Sequence, residues 1–420
     1  TGLADETTSA IDNATGFFKD SAYDFWQAST DLNEDLTTKG GAANLLPNPN
    51  GSSSRNVYTY IGDNSPASSI PLSGHLFKTT NTSITSTLLG VSSGLTRSSC
   101  TSSSTPSCKD LLINWTRGDA NGDGNSSQND VRRSMGDPIH SQPAVVIYGN
   151  SSTATTTTDK LNDAIVFVLT NDGFLHAVDV LTGTEKWSFI PQEILPDLKN
   201  IYINDDTAAK HYSLDGDIRA LKYDVNNNGM IDTADGDRVI LYFSQGRGGP
   251  NYYALDVTDK TNPKFMWSLG SSTLGKVSQS WSTPTIARVK INGPTQNSQK
   301  FVLIFGGGYD TSEESQGYIS SGDASGNAIY MVDAIRGTLL WSAGHSSDTS
   351  ANLKLADMTH AIPSNVTTVD TDNDNFTDRL YVGDLAGQLW RIDITNGNSA
   401  SSLATGGVIA SLGAKGVSTP

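Results

Sequence analysis

Basic residues are scarce here, cysteine nearly so, and nowhere is there a run of about 18 apolar residues that could cross a bilayer. Lys and Arg total 28 against 44 Asp and Glu, for a net charge of −16. That balance disfavours nucleic acid and anionic membrane surfaces as partners, because a phosphate backbone needs a basic footprint. An acidic surface attracts cations instead. The opening Thr1-Gly2-Leu3-Ala4-Asp5 has neither a basic n-region nor an apolar h-region, so the chain is expected to be a mature fragment.

The two cysteines, Cys100 and Cys108, sit among Ser, Thr and Pro, close enough to close a small loop. An oxidised pair is the natural reading in an exported chain. No Cys-x-x-Cys or paired histidine accompanies them, which excludes a zinc motif and a c-type haem site. No His-Glu-x-x-His pair occurs either, and no catalytic residue can be nominated.

Residues 1–110 are rich in Ser, Thr, Asn and Gly, a composition suited to short strands and long surface loops. From about residue 137 a phrase repeats. Ala164–Thr170 is an apolar, β-branched run; Asn171-Asp172-Gly173 is a turn; Phe174–Val180 is a second run; Leu181-Thr182-Gly183 turns again; Lys186-Trp187-Ser188-Phe189 starts a third. Arg238–Ser244, Asn251–Val257 and Phe265–Leu269 repeat it. So do Phe301–Gly306, Ala328–Asp333 and Leu340–Ser342, and a fourth copy runs through Arg379–Gly383 and Gln388–Asp393. Each is preceded by one more strand, near Gln142-Pro143, Gly216-Asp217, Thr283-Pro284 and Ile362-Pro363.

Four strands per repeat define a propeller blade. The expected fold is therefore all-β: a modified β-propeller of five to seven four-stranded antiparallel blades with long loop insertions. Residues 1–136 would form its N-terminal part and 137–420 the repeat-bearing blades of one continuous domain. A degenerate fifth blade is expected around Asn56–Ile61 and His75–Lys78. The element Ala177, Asp179, Gly183, Trp187, with looser copies at Ala254, Asp256, Trp267 and at Asp333, Gly337, Trp341, resembles the tryptophan-docking repeat of quinoprotein-type propellers. Matched large aromatics of this kind belong in the core.

Three acidic loops follow the calcium-ligand scheme of the EF-hand, with oxygens at positions 1, 3, 5, 7, 9 and 12 and a sharp bend at 6. Asp224, Asn226, Asn228, Met230 through its carbonyl, Asp232 and Asp235 fit it, with Gly229 at the bend. Asp119, Asn121, Asp123, Asn125 and Asp130 fit likewise, with Gly124 at the bend. The third loop offers Asp370, Asp372, Asp374, the Phe376 carbonyl and Asp378, with Asn375 at the bend; position 12 would fall in a strand, so a nine-residue loop closed by Asp378 is expected. The bland alternative is a solvated polar turn. Magnesium suits an all-protein cage less well than calcium. Arg117-Gly118-Asp119 also spells the tripeptide that integrins bind, a weak signal that overlaps the first calcium ligand.

Leu111–Gly118, Met135–Pro143 and Asp378–Leu385, with Phe25-Trp26 and Arg55–Tyr60, are similar to strings of the PilC/PilY proteins of type IV pili. The resemblance implies an exported, cell-surface protein at the pilus tip or outer membrane. It further implies a role in fimbrium biogenesis, adhesion, twitching motility and calcium-controlled extension and retraction, with pilins or the assembly machinery as partners and a host-cell receptor as a further one. The family's calcium loop maps onto Asp370, Asp372, Asp374 and Asp378. Two rival readings are a quinone-dependent dehydrogenase, disfavoured because its cysteines are adjacent whereas Cys100 and Cys108 are not, and a calcium-independent outer-membrane assembly scaffold.

Overall fold

The computed structural model describes residues 14–16, 26, 41–50, 54–95, 100, 105–125, 131–149, 163–205, 207–315 and 322–412. Two short strands come first, β1 (Val57–Tyr58) and β2 (Ile70–Pro71). The repeats then form four sheets. Blade 1 is β3 (Ala144–Ile147), β4 (Ala164–Leu169), β5 (Leu175–Asp179) and β6 (Glu185–Phe189). Blade 2 is β7 (Ile218–Tyr223), β8 (Arg238–Ser244), β9 (Tyr252–Asp256) and β10 (Lys264–Leu269). Blade 3 is β11 (Thr285–Lys290), β12 (Gln299–Gly306), β13 (Ala328–Asp333) and β14 (Leu339–His345), followed by β15 (Leu353–Leu355). Blade 4 is β16 (Thr367–Val369), β17 (Arg379–Gly383), β18 (Gln388–Ile394) and β19 (Ala404–Ser411).

Each blade is an antiparallel meander in chain order, as the repeat predicts. The described residues hold four such sheets, fewer than the five to seven expected. The segment expected as a degenerate blade is instead an appendage: β1 adds in parallel to β6, with Val57 opposite Ser188. A two-residue strand cannot hold a sheet of its own, but it satisfies the outer edge of β6, whose Ser188 and Ile190 N–H groups donate to Asn56 and Tyr58. In the same way β2 covers β10 and β15 covers β14.

The blades are joined by matched tryptophans. Trp187, Trp267 and Trp341 are buried at equivalent places on the fourth strands, opposite Ala177, Ala254 and Met331, each beside a register shift that turns the ring out of its own sheet. Trp187 Nε1 donates to the Lys260 carbonyl in the turn of blade 2 at 2.8 Å, and Trp267 Nε1 to the Ala334 carbonyl in the turn of blade 3 at 3.2 Å. Gly337, in a left-handed conformation at φ 66°, lets the Trp267 ring lie where a Cβ would stand 2.6 Å from its Cγ. Trp26 repeats this contact on blade 1, donating to the Val180 carbonyl at 2.9 Å and lying against Gly183. In blade 4 the large aromatic moves to the third strand as Trp390, bonded to Asp384. Three apolar clusters follow these joints, one linking blades 1 and 2, one blades 2 and 3, one blades 3 and 4.

Cys100 and Cys108 are disulfide-bonded, and Cys108 opens the helix Cys108–Arg117. Ser107 caps its N-terminus by accepting from the Asp110 N–H, and Gly118 ends it in a left-handed conformation.

Trp267→Ala is expected to cost about 3–5 kcal/mol, as truncation of a buried aromatic does. Gly337→Ala should cost about 1–3 kcal/mol through its left-handed backbone and the clash with the ring. Because both remove one contact, urea unfolding of the double variant should show less than the sum; strict additivity would mean that ring and turn are not coupled.

Candidate metal loops

Within a blade, the first strand is the innermost, and a hairpin returns the chain as the second. The loops 224–235 and 370–378 occupy this hairpin in blades 2 and 4, between β7 and β8 and between β16 and β17. Loop 119–130 follows the Cys108–Arg117 helix instead; Asp130 lies outside the described residues, as does the residue at its ninth position.

The three loops share one backbone scaffold. The position 1 carboxylate accepts from the N–H of position 6 at 2.8 Å in every case: Asp119 from Gly124, Asp224 from Gly229, Asp370 from Asn375. The position 5 side chain accepts from position 7: Asp123 from Asn125 at 2.7 Å, Asn228 from Met230 at 2.7 Å, Asp374 from Phe376 at 2.9 Å. Positions 4 and 6 are left-handed in all three, at Gly122 and Gly124, Asn227 and Gly229, Asn373 and Asn375. Only Gly and Asn take that conformation readily, so the Asn-rich spelling is a backbone requirement. The position 4 residues were not part of the ligand reading; a left-handed former at alternate places was the available signal.

The loops differ in what their oxygens are free to do. In loop 370–378, carboxylate oxygens of Asp370, Asp372 and Asp374 lie within 4.8 Å of one another, all exposed. Oxygens that share one calcium at about 2.4 Å must lie within about 5 Å of each other, so the spacing fits that ion. Asp378 is turned to the loop itself, accepting from the Thr371 N–H at 2.7 Å and its hydroxyl at 2.6 Å. Burial would raise the Asp378 carboxyl, but the Thr371 bonds and Arg379 prevail and hold it below the usual carboxylate range. Lys290 reaches in from blade 3, 3.4 Å from the Asp374 carboxylate and 3.9 Å above the Phe376 ring.

In loop 224–235, Asp224 leaves its second oxygen, Oδ1, buried without a hydrogen-bond partner, an arrangement that costs free energy unless a cation or water meets it. Asn226 donates to Asp235 at 2.9 Å, Asp232 accepts from Ala234, and the Met230 side chain is 51% exposed, leaving only its carbonyl for the loop. Asp237, which the ligand scheme does not contain, closes the loop: its two oxygens accept from Asp232 and Val225, and those bonds hold its carboxyl below the usual range. In loop 119–125 both oxygens of Asp119 are engaged, by the N–H groups of Asn121, Gly122 and Gly124 and by Asn50.

Arg117 and Asp119 are 3% and 1% exposed, so the tripeptide that spells an integrin motif, a weak signal in the sequence, is not on display. The Arg117 guanidinium is consumed by the carbonyls of Phe77, Pro49 and Arg55. Burial first, and then the neighbouring Arg55 charge, lower it to about 10, with Glu185 opposing. Arg55 in turn pairs with Glu185 through 2.5 and 3.0 Å contacts, and His176 Nδ1 lies 2.8 Å from the same carboxylate. Gly90-Val91-Ser92-Ser93-Gly94 spells a Gly-x-Ser-x-Gly pattern, yet it lies in consecutive turns, without the strand before or the helix after that a nucleophile elbow requires.

The fold is a β-propeller, and one of its hairpins carries three carboxylates spaced so that they could hold a metal ion. Residues 125–411 match the family model described as the PilY1 beta-propeller domain, and the chain belongs to that family. It is 29% identical over 299 residues to a type IV pilus biogenesis factor PilY1 homolog of Xylella fastidiosa, covering 68% of this chain and 21% of that protein. Against PilY1 of Pseudomonas aeruginosa UCBPP-PA14 it is 27% identical over 300 residues, 67% of this chain and 22% of the relative. The chain thus spans about a fifth of these relatives. The crystal structure of the P. aeruginosa PilY1 C-terminal domain matches with a TM-score of 0.36 and 27% identity, over 55% of this chain and 38% of that one. Among the described residues no helix is long and apolar enough to cross a membrane.

The buried Arg55–Glu185–His176 group sets an acid limit on stability. Burial alone would raise the Glu185 carboxyl, but Arg55 and the His176 bond overcome it and hold it far below the usual range. A depressed folded value contributes stability that is present above the unfolded value of about 4.3 and is lost as pH falls below it. Melting temperature should therefore start to fall near about pH 5 and go on falling through the acid range toward the depressed folded value, and Glu185→Gln, less stable at neutral pH, should flatten that limb. Arg55→Ala, which strands the buried carboxylate, should cost about 3–5 kcal/mol at pH 7. A variant whose pH profile parallels the wild type would show that the limb belongs to other carboxylates.

Proposed function

We propose that this chain is the calcium-binding propeller portion of a type IV pilus biogenesis factor, exported to the cell surface at the pilus tip or outer membrane. There it couples the ion to pilus extension, retraction and attachment, and it acts by binding rather than by catalysis. The observation that carries the reading is the convergence of Asp370, Asp372 and Asp374 on one side of a hairpin whose backbone is already set by its own N–H groups. When bound there, calcium would neutralise carboxylates that otherwise repel and would fix the register of β16 against β17. The same scaffold at 224–235, with the unpartnered Asp224 oxygen, supports a second site, and the partly described loop 119–130 a third.

Partners follow from the family rather than from a contact: the relatives bear the name of pilus biogenesis factors, so pilins or the assembly machinery are the proposed neighbours. The buried Arg117 and Asp119 weigh against receptor capture through that tripeptide.

Calorimetric titration of chelator-stripped protein with calcium tests the reading. Wild type should bind, and Asp374→Ala should lose most of the binding at loop 370–378 while keeping the fold, since the loop is exposed and outside the tryptophan joints. A ligand at a hundredfold excess over its dissociation constant stabilises by about 2.7 kcal/mol, so the calcium-dependent rise in melting temperature should shrink in the variant. Absence of binding at millimolar calcium would leave a calcium-independent scaffold.

A further inference from the structure

The inner strands β3, β7, β11 and β16 neighbour one another in that order, and the residues just ahead of them are bonded together, Gln142 and Thr283 each donating to Asp217 and Thr283 also to Asn365, so all four begin at the same end. The metal hairpins are at the other end, where β7 and β16 finish. At the starting end the chain places aromatic rings around an open cleft. Trp281 precedes β11, and Tyr309 follows β12; Gln279 and Tyr309 exchange backbone hydrogen bonds, and the Trp281 indole donates to the Gln279 side chain at 3.1 Å. His140, ahead of β3, meets Trp281 edge to face at 4.9 Å and is itself held by Asp215. Arg247 lies over Tyr212 at 4.7 Å and 3.7 Å from Glu314. Arg247, Gln279, Trp281, Tyr309 and Glu314, with Pro363 and Ser364, line an open cleft of about 470 Å³.

We propose that this axial cleft binds an uncharged saccharide. Half-buried Trp281 and Tyr309 offer flat apolar faces, the Trp281 ring held by its bond to Gln279 and the Tyr309 backbone by its paired bonds to the same residue, which suit the C–H face of a sugar ring. The polar groups around them are balanced: Arg247 supplies donors, Glu314 acceptors and the Ser364 hydroxyl both, while the Gln279 amide is engaged in accepting from Trp281 and donating to the Arg247 carbonyl. An anionic ligand would meet the Glu314 carboxylate, and a cationic peptide would meet Arg247, whereas hydroxyls can use both without an unpaired charge. The volume falls in the ordinary range of small-ligand sites, about 300–1,000 Å³. The proposal is independent of the calcium reading, because the two sites lie at opposite ends of the strands.

Saturation-transfer NMR and tryptophan fluorescence on the whole chain, with lactose, maltotriose and chitotriose as probes, test it. At least one probe should receive saturation on its ring C–H protons and bind with a dissociation constant of about 10 mM or tighter. Trp281→Ala and the exposed Arg247→Ala should each weaken it by about tenfold or more, with Asp374→Ala unchanged. If Trp281→Ala does not fold, Arg247→Ala decides alone. No binding by any probe, binding that survives Arg247→Ala, or preference for anionic sialyllactose over lactose would each overturn the proposal.

Discussion

A propeller blade has two faces, and both must be covered by another blade, so everything else in this molecule depends on how one sheet is fastened to the next. Trp267 shows the fastening in full: its indole leaves its own sheet at a register shift, donates to a carbonyl in the neighbouring turn and lies against Gly337, which has no Cβ; Trp187 shares the register shift and the carbonyl bond, and Trp26 the carbonyl bond and the glycine. Since each blade touches its neighbours, stability is distributed along the row of blades as a series of joints. Trp26 shows that the N-terminal region takes part on equal terms, seated on blade 1 as Trp267 is seated on blade 3.

This pattern was legible because it is written in rare letters at fixed spacing. Trp187, Trp267 and Trp341, with their preceding Ala or Asp, recur at positions that only a blade explains, and the four first strands fall where a Pro or Gly announces them. Blade edges were not legible. β1, β2 and β15 are two or three residues long and owe their form to the N–H groups of a sheet made elsewhere in the chain, so no local periodicity marks them. That is why the Asn56–Ile61 segment read as a blade.

The acidic loops were legible as a ligand spelling, yet the same spelling has a second job. Asp119, Asp224 and Asp370 each spend one oxygen bonding the turn, which a list of ligands does not reveal. Asp237 and Thr371 lie outside the ligand positions and are recognisable only once their hydrogen bonds are seen. The burial of Arg117 and Asp119 was beyond reach for a different reason: three residues carry no information about the distant Pro49, Arg55 and Phe77 carbonyls that enclose them.

Lys290 gives the loop of blade 4 a resident occupant. Its ammonium, anchored on the Phe376 ring and next to Asp374, is a tethered counter-ion whose local concentration does not fall when the solution is diluted. A metal bound at Asp370, Asp372 and Asp374, as proposed, would have to compete with the Lys290 ammonium at Asp374 instead of filling a bare anionic pit. Exchange of this kind softens the repulsion of the empty loop and subtracts from the gain on binding. It also ties the loop to blade 3, since Lys290 is the last residue of β11, so that swapping the ions would be felt across the joint between two blades.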